Sequence, residues 1–143
     1  MLIQKWHSWL DMPKFCEQWH KDDIADELQE LKEACGFFKR WSEKSDVVYT
    51  YTRAKWSGYK NFKCPLNFFE YIFGLLYMFP KYTLRFLFFL HVGKCIDKTK
   101  RVKGIRNPKK PKKLYEMAKE NKIDPELFVK LCQKKLKYWP LLP

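Results

Sequence analysis

The sequence predicts a mainly α-helical protein, a small helical domain preceded by an N-terminal helical hairpin. Three observations carry this. Apolar residues recur at spacings of three and four through the first third of the chain. Proline, asparagine and aspartate fall where helix starts require them. With 46% hydrophobic and 18% aromatic residues, the 143-residue chain has ample material for a core, which excludes whole-chain disorder. Only five glycines exclude collagen-like and flexible-linker classes.

From Asp22, Ile24, Leu28, Leu31, Cys35, Phe38 and Trp41 are spaced as one face of an amphipathic helix, with Asp22 and Asp23 at its positive end. A shorter helix is expected before it, opened by Pro13 and carrying Phe15, Cys16 and Trp19 on one face. Val47, Val48, Tyr49, Thr50, Tyr51 and Thr52 are β-branched or aromatic and predict an extended strand or an ordered loop, with a turn at Ser57-Gly58. Residues 65–93 are the most apolar stretch. Its uncharged runs, Tyr71–Pro80 and Phe86–Gly93, fall short of the about 20 apolar residues a membrane span needs. No transmembrane segment is therefore expected, and two buried helices are read instead. The first is capped by Asn67 and ends before Pro80; the second begins at Tyr82-Thr83. A helix is expected over 113–121. Asp124-Pro125-Glu126 then starts a final helix with Leu127, Phe128, Leu131, Cys132 and Leu136 inward and Pro140 as its stop.

Charge divides the chain. Lys and Arg number 29 against 16 Asp and Glu, a formal +13. Residues 1–50 carry 7 basic and 10 acidic side chains, whereas residues 94–143 carry 16 basic and 5 acidic. We therefore expect an acidic helical pair over 1–45 and a basic helical nucleic-acid-binding domain over 46–143. Lys98, Lys100, Arg101, Lys103, Arg106, Lys109, Lys110, Lys112 and Lys113 form a run without one acidic residue. Such a run suits phosphate neutralisation and is expected to be solvated and mobile until an anion orders it. Within it, Arg101 and Arg106 offer planar forks able to match guanine edges, while the lysines position the backbone. Trp56 and Tyr59, flanked by Lys55, Lys60 and Lys63, either touch sugar or base or pack into the core.

Catalytic and metal chemistry have little to stand on. No phosphate-binding glycine loop, dinucleotide fingerprint or H-E-x-x-H motif occurs, so no enzyme and no cofactor are expected. Cys16 and His20 stand four apart, but adding His7 and Cys35 gives no familiar zinc spacing, and ordinary packing is the better reading. Five cysteines without a C-x-x-C pair, and no secretory leader at the start, suggest reduced, buried thiols in an intracellular protein.

Pro65, Leu66, Asn67 and Phe69, followed by an aromatic-rich stretch to Pro80, resemble the opening of the fungal mating-type alpha box. Tyr115, Ala118, Asn121, Ile123, Pro125 and Phe128 resemble its later part, so the likeness spans residues 60–134. The chain departs from the family where Gly74-Leu75-Leu76-Tyr77 replaces an Arg followed by paired aromatics, and where the mid-box Trp is missing. The resemblance implies an HMG-box-like C-terminal half and a nuclear, sequence-specific DNA-binding activator of mating-type transcription, working beside a MADS-box partner. Two other readings share the charge. One is an RNA-binding or ribosome-associated protein. The other is a peripheral membrane protein that holds anionic lipid through the basic run and inserts Phe86–Leu90.

Overall fold

A computed structural model describes residues 2–139. These form six helices, and no strand occurs among the described residues: α1 (Leu2–Leu10), α2 (Glu17–Glu33), α3 (Phe37–Trp56), α4 (Phe68–Ile96), α5 (Pro111–Glu120) and α6 (Pro125–Lys134), closed by a 3-10 turn, Leu136–Tyr138. The mainly helical class is therefore as expected. Two compact units divide the chain. The first contains residues 2–9 and 14–81, the second residues 10–13 and 82–139. Residue 45, where the charge sums place a boundary, lies inside α3, and the division falls after Lys81.

In the first unit, the expected strand is a correction. Val47–Thr52 lie in α3, and every residue from Val47 to Ala54 is buried. A helix buried all round loses the period that would identify it, and tertiary burial overrides the strand preference of β-branched residues. The hydroxyls cause no penalty because they turn back onto the helix: Thr50 Oγ1 donates to Val47 O at 3.1 Å, and Thr52 Oγ1 to Val48 O at 2.8 Å. Gly74 of α4 brings that helix against α3; a Cβ there would stand 2.8 Å from Val48 Cγ2.

The helix expected to run from Asp22 through Trp41 is two helices. α2 ends at Glu33, and Gly36 at φ +87° turns the chain into α3, a conformation that glycine adopts without strain. Ile24, Leu28 and Leu31 are half-buried, but Phe38 is 77% exposed and Cys35 is exposed as well, so the face does not continue. Pro13 starts no helix; it lies in the segment between α1 and α2, and Phe15 of that segment stacks on Trp19 of α2 at 4.1 Å. The thiols also differ from expectation. All five cysteines are free, yet only Cys132 is buried, where desolvation pushes its thiol up to about 12.

Residues 68–96 form one helix, not two. Asn67 and Glu70 cap it reciprocally: Glu70 N donates to Asn67 Oδ1 at 3.0 Å and Asn67 N to Glu70 Oε2 at 3.4 Å. Pro80 lies inside it and offers no amide to the preceding turn, a cost of about 3 kcal/mol that burial on either side offsets. Met78, Lys81 and Tyr82 are all buried. The Lys81 ammonium meets Asp46 Oδ1 at 2.6 Å, Ser42 Oγ at 2.7 Å and Ser45 Oγ at 3.3 Å. As a continuous 29-residue helix, α4 is long and apolar enough to cross a membrane by length and composition, a property that core helices share.

The core of the second unit joins Phe88, Phe89 and Val92 of α4 to Leu114, Met117 and Ala118 of α5 and Phe128 and Cys132 of α6. Asp124 caps α6 as expected, accepting from Leu127 N at 2.9 Å, with Pro125 at the first helical position. Pro140, the expected stop, lies outside the described residues. Phe86, Phe88 and Phe89 are buried in this packing, whereas Leu87 beside them is exposed.

Candidate nucleic-acid interface

The basic run lies in the second unit, between α4 and the first turn of α5. It is not the loose segment its composition suggests. Val102 is fully buried, Pro108 is buried, and Ile105 packs against the same core. These three residues recur every third position, which ties a polar strap to an apolar surface. The approach is close at Gly93 of α4, where a Cβ would meet Val102 Cγ2 at 2.9 Å and Lys100 O at 3.1 Å.

Local hydrogen bonds shape the rest of the strap. Asp97 Oδ1 accepts from Thr99 N at 3.0 Å and Thr99 Oγ1 at 2.9 Å, and Lys100 N donates to Asp97 O at 2.8 Å. These bonds hold the Asp97 carboxyl below its ordinary range, the Thr99 amide first among the causes. Asn107 makes a second turn: its Oδ1 accepts from Lys109 N at 2.9 Å and its carbonyl from Lys110 N at 3.0 Å. Gly104 at φ +111° supplies the bend between the anchors.

Onto this frame the sequence places its nine cations. Lys98, Arg101, Lys103, Lys109, Lys110, Lys112 and Lys113 are exposed, while Lys100 and Arg106 are half-buried. The Arg101 guanidinium lies 5.1 Å from the Phe86 ring centroid, a cation–π contact that orients the fork. Lys103 forms an exposed ion pair with Asp11 at 3.5 Å, a contact of small energetic weight. Lys109, Lys110, Lys112 and Lys113 gather around the start of α5, whose first turn carries no acidic residue. Four ammonium groups at the positive end of a helix dipole repel that end and each other. The same arrangement favours an incoming anion, because amide donors and ammonium groups converge there.

Several contributors lie outside the run. Asn121, which ends α5, fastens the strap at Lys103 through its side chain. Between α5 and α6 an open groove is lined by Lys112, Tyr115, Lys119, Lys130 and Gln133 together with the acidic Glu116 and Glu126, with Lys119 Nζ 4.9 Å above the Tyr115 ring. In the sequence their signal is only helical spacing: 112, 115 and 119 share a face of α5, and 130 and 133 share one of α6.

Other candidates have structural roles in the first unit. Trp56 is half-buried and donates from Nε1 to Ser8 Oγ at 3.1 Å, and Tyr59 donates from its hydroxyl to Phe15 O at 3.3 Å. Both pack rather than present themselves to a ligand. His7 and His20 are fully buried, each hydrogen-bonded through Nε2, to Thr52 Oγ1 and Ser57 Oγ respectively, both at 3.0 Å. Burial first, then the nearby Arg53 charge, lowers His7 to about 3 and His20 to about 4. Cys16 and Cys35 are exposed and form no shared ligand set with these imidazoles among the described residues.

No family model, curated protein or solved structure matches the chain. The likeness to the alpha box accordingly stands on the quoted residues alone.

Proposed function

We propose that the second unit binds duplex DNA through the strap over 97–110 and the start of α5, as the DNA-binding part of a transcriptional regulator. One observation carries the reading: a run of nine basic residues is fixed to a core by Val102, Ile105 and Pro108 while seven of its side chains remain exposed. A prefolded cationic surface loses less conformational entropy on binding than a mobile tail of the same charge. Residues 82–139 hold 17 basic and 5 acidic side chains, so counterion release drives association. Nuclear location, mating-type activation and a MADS-box partner rest on the alpha-box resemblance.

Competition among duplex DNA, structured RNA and anionic vesicles tests the reading at near-physiological salt. Preference for the duplex, with affinity falling about 10³–10⁵-fold between 50 and 200 mM salt, supports it. A flat salt response removes nucleic acid as the principal partner. Preference for RNA, or for vesicles, replaces DNA with that partner.

A further inference from the structure

In the first unit, the starts of α3 and α4 carry a continuous chain of aromatic rings. Phe38 meets Phe37 at 5.6 Å between ring centroids, Phe37 meets Trp41 at 6.0 Å, and Trp41 meets Phe73 of α4 at 5.6 Å. Phe69 precedes Phe73 by one helical turn, and Phe68 lies 5.8 Å from Phe69. These five phenylalanines are 55–77% exposed, and Leu76, one turn beyond Phe73, is exposed too. Lys44 ties the two helices together within the patch: its ammonium lies 4.5 Å from the Trp41 ring centroid and 2.8 Å from Glu70 Oε1. The rings therefore stand on packed helices, and docking orders little additional chain. At about 150–250 Å² for each aromatic side chain, the exposed rings offer roughly 500–850 Å² of apolar surface. That is more than the few hundred Å² usual for a monomer, and it matches the about 800 Å² that each partner contributes to a standard interface.

We propose that this patch is the contact face of a two-fold symmetric dimer of the chain. Charge selects a second copy over an anionic partner. Residues 2–9 and 14–81 carry 12 basic and 10 acidic side chains, a net +2, so the patch lies on the near-neutral part of a chain whose +13 is concentrated elsewhere. Nucleic acid and anionic lipid are drawn to the second unit's charge, whereas two near-neutral units approach without strong repulsion. Apolar burial is then the driving force. The edges carry both signs: Lys39 and Arg40 follow Phe38, and Glu33 stands four residues before Phe37, all three exposed. An apolar centre with cations and an acid at its edges is self-complementary, as an isologous contact requires. One patch pairing with itself closes after two copies and leaves no apolar end uncovered.

Sedimentation equilibrium of the full chain tests the dimer, without nucleic acid and at about 0.15 M salt to screen the second unit's charge. The expected mass is twice the chain's 17.5 kDa, with a dissociation constant on the order of 10⁻⁶ M, the weak end for an interface of this size. Phe38→Glu and Phe69→Glu each place an acid in the first turn of a helix, where the dipole favours it, so circular dichroism should show unchanged helicity. Each should weaken dimerisation about 100-fold or more, because a two-fold contact carries the substitution twice. Leu127→Glu, the same kind of change at an exposed position in the first turn of α6, should leave dimerisation as in the wild type. A wild type that stays monomeric up to about 10⁻⁴ M overturns the proposal. Growth beyond two copies, or equal association in the wild type and both patch variants, overturns it as well. A monomer that floats with phosphatidylcholine vesicles, and loses that property with Phe38→Glu, gives the patch to a bilayer instead.

Discussion

Asn121 and Lys103 exchange two hydrogen bonds across eighteen residues: Lys103 N donates to Asn121 Oδ1 at 2.7 Å, and Asn121 Nδ2 donates to Lys103 O at 2.9 Å. The same amide nitrogen reaches Met117 O at 2.8 Å, so one side chain ends α5 and fastens the basic strap. A carboxamide suits this position because it donates and accepts at once.

Asn121→Ala should therefore destabilise the protein by about 1–3 kcal/mol, the net value of two or three hydrogen bonds. Asn121→Asp keeps the acceptor for Lys103 N but loses the donor, and should fall between alanine and wild type. Denaturant unfolding measures both. Limited proteolysis should find the 98–110 strap cut faster in each variant. Unchanged stability and cleavage would mean that Val102 and Ile105 hold the strap alone.

Within the strap, positioning and reading separate by residue type. Lys110 is exposed at the start of α5, so Lys110→Ala should weaken binding to every duplex alike and lower the salt slope by about one unit. Arg106 is half-buried just before the turn at Asn107, which limits its freedom. Arg106→Lys should lose about 1–3 kcal/mol on a matched duplex and little on a mismatched one. Equal losses on both duplexes would place base recognition elsewhere.

Lys81 is fully buried among Asp46, Ser42 and Ser45. Lys81→Met leaves the Asp46 carboxylate without its buried counter-charge and should cost about 3–5 kcal/mol. The double variant Lys81→Met with Asp46→Asn should recover part of that loss. A small effect of the single variant in denaturant unfolding would show that solvent reaches Asp46.

Acid sensitivity should follow the two buried histidines. Their folded values, about 3 and about 4, lie below the ordinary 6.5, so the fold favours the neutral rings and the unfolded chain takes up protons first. Their contribution is complete above about pH 6.5 and is lost as pH falls towards about 4 for His20 and about 3 for His7, at about 1.4 kcal/mol per pH unit for each ring. Glu27, held up near 8, acts in the opposite sense. The histidine share is therefore read as the difference in melting curves between wild type and a His7→Gln, His20→Gln variant. Parallel pH dependences in the two proteins would contradict it.

Caps, charge and local turns were legible in the sequence because they depend on near neighbours. Asn67 and Asp124 cap helices as expected, since a side chain three residues from an open amide needs no tertiary help. The clustering of cations over 98–113 required only counting. The structure overrode the sequence wherever burial came from distant chain. Val47–Thr52 are helical because neighbours cover every face of α3, which removes the pattern that a one-sided helix leaves. Pro80 does not end α4 because packed residues on both sides offset the missing amide bond. Glu27 and Glu30 meet Glu43 only because α2 and α3 fold back on each other, and no spacing along the chain encodes that approach. The basic run is ordered because Val102 finds the surface opened by Gly93. Composition determined the charge of that strap; long-range packing decided that it holds a shape.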